Sequence, residues 1–232
     1  MTFHNPVMVK EVLHYLNPQI KAVYVDCTLG GGGHLAALAE HVPGARLVGL
    51  DTDSEAIQFA RTRLAQFSSR LQFVLTNFRH LDSALAELGI NQVDGILFDL
   101  GVSLYQLTTA SRGFSYDADG PLDMRMDPAR PQDASRLVRD SNYETMRGIL
   151  KDYGEVHNPG KIARLIDQQK QRLNTTGDLG RLIAHAVPRR YLRKNLAQVF
   201  QALRIAVNDE LGSLSQGLEA SARLLKKKGA SW

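Results

Sequence analysis

The chain has 232 residues, with 28 Lys+Arg against 24 Asp+Glu, 44% hydrophobic and 22% charged residues, and one cysteine. This is ordinary globular composition, which excludes a wholly disordered chain, a collagen-like repeat and a disulfide scaffold. The lone Cys27, a start without a signal-peptide pattern and the lack of any run near ~18 apolar residues point to a cytoplasmic protein with no membrane partner.

In chain order, the first hundred residues alternate short apolar runs with helical patterns. Residues 22–26, 46–51, 71–76 and 93–99 read as strands, rich in Val, Leu and aromatic residues. Between them, residues 34–41 and 54–67 carry apolar side chains at helical spacing, the second with Ile57, Ala60, Leu64 and Phe67 on one face. Asp53 followed by Ser54 and Glu55 is a helix start. Strand, helix, strand at this rhythm predicts a parallel sheet with crossover helices.

The first strand runs into Asp26-Cys-Thr-Leu-Gly30-Gly-Gly-Gly-His34 and then a helix. Glycines at a strand-to-helix turn let a ligand approach the backbone, and a helix N-terminus favours an anion. Gly31, Gly33 and Ala36 fit a dinucleotide fingerprint only loosely, and no Lys-Ser/Thr follows to make a P-loop. Asp26, four residues before Gly30, suits a ligand with a free amino group. Asp51 ends the second strand 18 residues after Gly33, where a carboxylate accepts ribose hydroxyls. Asn77-Phe78 follows the third strand, where a ring can pack on adenine, and Asp99 ends the fourth, at the switch point of the predicted order. Together these residues predict a nucleoside-bearing cofactor.

After Asp99 the pattern changes. Residues 101–135 are rich in Gly, Asp, Pro and Ser, and a loop of that length is usually functional. From about 141 helical periods return: Ile162 to Leu173, Leu179 to Ala186 ending before Pro188, and a stripe from Leu196 to Leu218 loosened by Gly212 and Gly217. The charge also shifts. Residues 1–100 hold 7 Lys+Arg and 10 Asp+Glu, whereas residues 101–232 hold 21 and 14. The densest clusters are Arg189, Arg190, Arg193 and Lys194 around Tyr191, and Lys226 to Lys228. Such clusters neutralise phosphates, and Tyr or Arg planes stack on unpaired bases.

The segments Val25-Asp-Cys-Thr-Leu-Gly-Gly-Gly-Gly-His34, Asp94-Gly-Ile-Leu-Phe-Asp-Leu-Gly-Val-Ser103, Arg112-Gly-Phe-Ser, Asp119-Gly-Pro-Leu-Asp-Met-Arg-Met-Asp127, Tyr153-Gly-Glu155 and Phe200-Gln-Ala-Leu-Arg-Ile-Ala-Val-Asn-Asp-Glu-Leu211 resemble the bacterial 16S ribosomal RNA cytosine-N4 methyltransferases, the MraW or RsmH family. The resemblance runs to about residue 228. It implies an α/β fold: a Rossmann-like class I methyltransferase sheet, parallel in the order 3-2-1-4, with an inserted helical domain. The expected boundaries are 1–104 with 196–232 for the cofactor domain and 105–195 for the insertion, the expected site of RNA recognition. The implied cofactor is S-adenosylmethionine, and the implied partner is 16S ribosomal RNA in the small ribosomal subunit.

By position, the resemblance implies Gly32, Gly33 and His34 at the methionine end of the cofactor, Asp51 on the ribose and Phe78 beside adenine. Asp99 and Gln106 are implied as further cofactor contacts. Arg125, Arg189, Arg190, Arg193 and Lys194 are candidate RNA contacts. Two departures stand out: Ser103-Leu-Tyr-Gln-Leu-Thr108 where the family has Ser-Ser-Pro-Gln-Leu-Asp, and an ending at Lys226-Lys-Lys-Gly-Ala-Ser-Trp232 where the family continues into further strands. The later strands are therefore expected to be missing, leaving strand four as an uncovered apolar edge with impaired stability and turnover.

The implied reaction is attack of a cytosine amine on a methyl group. Asp99, with Ser103 or Asp123 from the loop, is a candidate to accept a hydrogen bond from that amine, but no catalytic base is assigned. No metal-ligand spacing is present. Three readings stay open: an active RNA methyltransferase, a non-catalytic cofactor- or RNA-binding remnant, and a nicotinamide-dependent oxidoreductase.

Overall fold

The structure, a computed structural model, describes residues 6–227. The chain forms two compact units, one of residues 1–103 and 211–232, the other of residues 104–210. The first unit alternates α1 (Val9–Leu16), β1 (Val23–Asp26), α2 (Gly33–His41), β2 (Arg46–Asp51), α3 (Ser54–Arg63), β3 (Leu71–Leu75), α4 (Leu81–Glu87) and β4 (Gly95–Leu97). The second holds α5 (Leu104–Thr108), α6 (Ala134–Asp140), α7 (Tyr143–Asp152), α8 (Pro159–Gln169), α9 (Thr176–Ala186) and α10 (Arg189–Asn208). With α11 (Glu210–Leu224) the chain returns to the first.

The four apolar runs form one parallel sheet in the order β3-β2-β1-β4, as the sequence predicts. Side chains of a strand alternate between faces, and both faces here are covered. Tyr24 and Leu47 pack with Leu35 and Leu38 of α2 and Ala60 of α3. Val25, Val48 and Leu50 pack on the other side with Leu81 and Leu85 of α4 and Ala220 and Leu224 of α11. Each fully buried leucine is worth roughly 2–3 kcal/mol of transfer free energy.

Three expectations need correction. The helix expected over 54–67 ends at Arg63, and residues 65–70 continue as a 3-10 turn. Leu64 and Phe67 keep the core face because three-residue spacing suits that turn as well. The long stripe from Leu196 to Leu218 breaks at Asp209 (φ 48, ψ 50) rather than at its glycines, because a left-handed residue ends a helix. Gly217 is instead the place where α11 passes Phe78: a Cβ there would lie 3.0 Å from the ring. The insertion also extends beyond residue 195, since α10 is continuous to Asn208 and packs on α6, α7 and α9 of its own unit.

Among the described residues the sheet keeps the four expected strands, and the segment after α11 adds only an isolated bridge just ahead of β4. Leu225 forms a parallel bridge with Val93. Val93 N–H donates to the Leu224 carbonyl (2.9 Å), and Lys226 N–H donates to the Val93 carbonyl (3.0 Å). The Lys226 ammonium donates to both Asp94 oxygens at 2.9 and 2.8 Å, so it is not free for an external anion. Lys228 lies outside the described residues. Beyond the bridge, Gly95 is buried and Ile96 and Leu97 are half-buried. Among the described residues, no helix is long and apolar enough to cross a membrane.

Candidate functional site

The first unit gathers its carboxylates where strands end in helices. β1 places Asp26 fully buried at the foot of the glycine turn. Its Oδ1 accepts from the Thr28 amide (3.0 Å) and the Thr28 hydroxyl (3.3 Å), whereas its Oδ2 is buried with no hydrogen-bond partner. Burial, reinforced by Asp51 and Asp99, pushes this carboxyl up to about 7, against the pull of the Thr28 bonds. A buried polar atom left unpaired in a native fold calls for an explanation, and a ligand supplies one.

The turn itself has two kinds of glycine. Gly32 is the residue before α2 and sits at φ 71, and a Cβ there would come 2.9 Å from Leu64. A Cβ on Gly33 would meet the Pro6 ring at 2.8–3.0 Å. Both glycines are therefore required by the protein's own packing, whatever binds nearby. Gly30, at φ 48, donates its amide to Asp51 Oδ2 (2.8 Å), and a Cβ there would meet only the Thr28 carbonyl oxygen, at 3.9 Å.

Asp51 also accepts from the Asp53 amide at Oδ1 (2.9 Å). Both oxygens thus have a backbone donor, and the carboxylate, with about four lone-pair sites, keeps capacity for a further one. Burial, the largest influence, pushes this carboxyl up to about 6 despite those donors. Asp53 is buried and caps α3 by accepting from the Glu55 amide (3.1 Å).

Asp99 follows β4 and its side chain is 43% exposed. Its amide donates to the Thr28 hydroxyl at 2.7 Å, and its carboxylate lies 3.5 Å from Nε2 of His34, which is buried in the first turn of α2. Sequence reasoning missed Thr28, which links the ends of β1 and β4. The signal was present as Asp-x-Thr, whose side-chain acceptor two residues back makes an Asx turn. Phe78 packs edge-on to Phe98 (5.5 Å between centroids) and against Gly217. The structure thus brings together Asp26, Gly32, Gly33, His34, Asp51 and Asp99. Gln106 lies in α5 of the second unit, with its side chain buried.

In the second unit, the segment with the most specific motif is a fixed scaffold. Met124 is buried at φ 60. Its carbonyl accepts from Asn208 Nδ2 (2.8 Å), and Asn208 Oδ1 accepts from the Met126 amide (2.8 Å). Arg130 donates to the Asn208 carbonyl (2.7 Å), and Arg112 donates to the carbonyls of Arg125 and Met126 (both 3.1 Å). At Gly113, φ 70, a Cβ would run into the Pro121 carbonyl. Asp119 accepts from the Gly177 amide (2.9 Å), tying the segment to the start of α9. Tyr153 and Glu155 present their carbonyls to Gln201 (3.2 Å) and Gln198 (2.8 Å) of α10.

This arrangement separates the candidate RNA contacts. Arg125 donates to both Asp123 oxygens (2.8 and 2.7 Å) and to the Arg130 carbonyl (2.6 Å), so its guanidinium is engaged inside the segment. Arg189, Arg190, Arg193 and Lys194 are exposed in the first turns of α10. Arg190 stacks over Tyr191 at 4.7 Å, and Arg193 lies 3.4 Å from Asp117. No group of three or more metal-binding side chains occurs among the described residues.

The profile of the MraW methylase family matches residues 1–231. Three proteins named ribosomal RNA small subunit methyltransferase H are similar to the chain. That of Geobacter sulfurreducens is 46% identical over 236 residues, 99% of this chain and 76% of the relative. That of Symbiobacterium thermophilum is 42% identical over 236 residues, 99% and 74%. That of Thermotoga neapolitana is 42% identical over 232 residues, 98% and 77%.

Proposed function

The chain belongs to the MraW methylase family, and from that premise we infer that it methylates the exocyclic N4 amine of a cytidine in 16S ribosomal RNA, using S-adenosylmethionine. The observation that carries the cofactor assignment is the partnerless, buried Oδ2 of Asp26 beside the glycine turn. An ammonium group is the natural complement of such an oxygen. The start of α2 at Gly32, Gly33 and His34 suits a carboxylate, so this corner fits an amino acid moiety. Asp51 keeps acceptor capacity for ribose hydroxyls. Phe78 is the adenine neighbour in this reading, and Asp99 is a further contact.

When bound, S-adenosylmethionine supplies an electrophilic methyl group. The cytosine amine is a weak nucleophile because its lone pair is delocalised into the ring. The protein's tasks are alignment at near-attack distance and acceptance of the proton that the amine loses. Asp123 is already engaged by Arg125, which leaves Asp99 as the carboxylate proposed to face the amine. The exposed cations at the start of α10 are the proposed contact with ribosomal RNA in the small subunit.

Calorimetric titration with S-adenosylmethionine and separately with NAD tests the cofactor. Binding of the first alone is expected, and binding of NAD alone would overturn the reading. Labelled methyl donor with small ribosomal subunits tests the reaction. A folded, cofactor-binding protein that transfers no label would instead be a binding-only member of the family.

A further inference from the structure

We propose that His34 is a positioning residue that acts through Asp99. The inference rests on the methyltransferase reading for what Asp99 does, but the contact itself is between the chain's own side chains. Asp99 is held unevenly. Its backbone is fixed because its amide donates to Thr28, and Thr28 is itself tied to buried Asp26. Its carboxylate stands 43% exposed after the strand has ended, and its close side-chain partner is the His34 imidazole, Nε2 to Oδ2 3.5 Å. An exposed carboxylate on a fixed backbone still samples several rotamers.

His34 is the opposite case. It is 6% exposed, in the first turn of α2, directly after a glycine packed against Pro6. A buried ring set against an exposed carboxylate restricts the rotamers open to it. The proton placement follows from the same contacts. An ionised Asp99 only accepts, so Nε2 carries the hydrogen. Nδ1 is buried without a partner and is then a bare lone pair, which costs less than a buried orphan N–H. His34 thus faces Asp99 with its Nε2–H and narrows the orientations of that carboxylate.

Two measurements test this. In cofactor-free protein with labelled histidine, nitrogen NMR should show the Nε2–H tautomer at His34, and Asp99→Ala should abolish that preference. The opposite tautomer, or one indifferent to Asp99→Ala, would overturn the proposal whether or not the chain is a methyltransferase. The second is single-turnover methyl transfer to small ribosomal subunits. His34→Leu and Asp99→Asn should each slow it about tenfold or more, and the double variant should be no slower than Asp99→Asn alone. His34→Gln, whose amide can donate to the carboxylate, should recover most of the rate. Additive losses, or a His34→Gln protein no better than His34→Leu, would show His34 to be merely structural. If the wild type binds no S-adenosylmethionine, the methyltransferase reading fails while the tautomer result still stands or falls by itself.

Discussion

The glycine turn of the first unit and the loop from Gly113 to Arg130 of the second are both polar, glycine-containing and rich in motif residues. They use their polar groups in opposite ways. The loop turns its groups on itself: Arg112, Asp123, Arg125, Arg130 and Asn208 bond to one another or to the backbone they hold. The turn leaves Asp26 Oδ2 and His34 Nδ1 buried and unpartnered, and it crowds Asp26, Asp51 and Asp99 together. Satisfied networks specify shape, whereas unsatisfied buried groups are a stored capacity to bind. Motif specificity alone does not distinguish the two. The string that most strongly marks the family is largely scaffold, and the less specific turn holds the candidate chemistry.

The contrast breaks most sharply at Asn208. Asn208→Ala leaves the Met124 carbonyl and the Met126 amide without their partner, which should cost about 3 kcal/mol of stability. Denaturant unfolding measures it, and a loss below about 1 kcal/mol would mean that the loop does not depend on its clasp.

Asp26→Asn should do the reverse in the ligand-free protein. The carboxyl ionises near 3.8 in the unfolded chain and near 7 in the fold. Its contribution to stability is therefore complete below the unfolded value and is lost as pH rises to about 7. Asp51, raised to about 6, acts in the same direction. At pH 8 the Asp26→Asn variant should melt later than wild type, by roughly 4 kcal/mol from the shift less about 1–2 kcal/mol for the unpaired amide that replaces the carboxyl, with the gain from the shift vanishing near pH 4. Affinity for S-adenosylmethionine should rise as pH passes 7 in wild type and stay low and flat in the variant. Equal pH profiles of the two melts would sink the assignment.

The smallest effect is expected at the start of α10. Removing Arg189, Arg190 and Lys194 together should leave the melt unchanged and reduce the slope of log affinity for RNA against log salt by about 0.7 per side chain. Arg125→Ala serves as the contrast. It should destabilise the loop with little change in that slope, because its donors already face Asp123 and Arg130.

Much of the site was legible in the residues. Asp26, Asp51 and Asp99 stand at the ends of apolar runs, and a carboxylate at a strand end beside a glycine turn has few structural uses. Thr28 was not singled out because its role joins β1 to β4, and strand adjacency is not written in local spacing. The break at Asp209 was hidden for a similar reason. A leucine stripe continues through it, and nothing in the hydrophobic period marks a residue that turns left-handed.

Local propensity, period and motif were enough for the four strands, their parallel order, the position of the acids and the family. Which polar groups are engaged emerged only from the folded chain. Arg125 and Lys226 look like free cations in the sequence, yet each closes on a carboxylate in the fold. Asp26 looks like one acid among many, yet it is fully buried with one oxygen unmet. Composition states which donors and acceptors a chain carries. Burial and geometry decide which of them remain available, because desolvation is a property of place rather than of residue type.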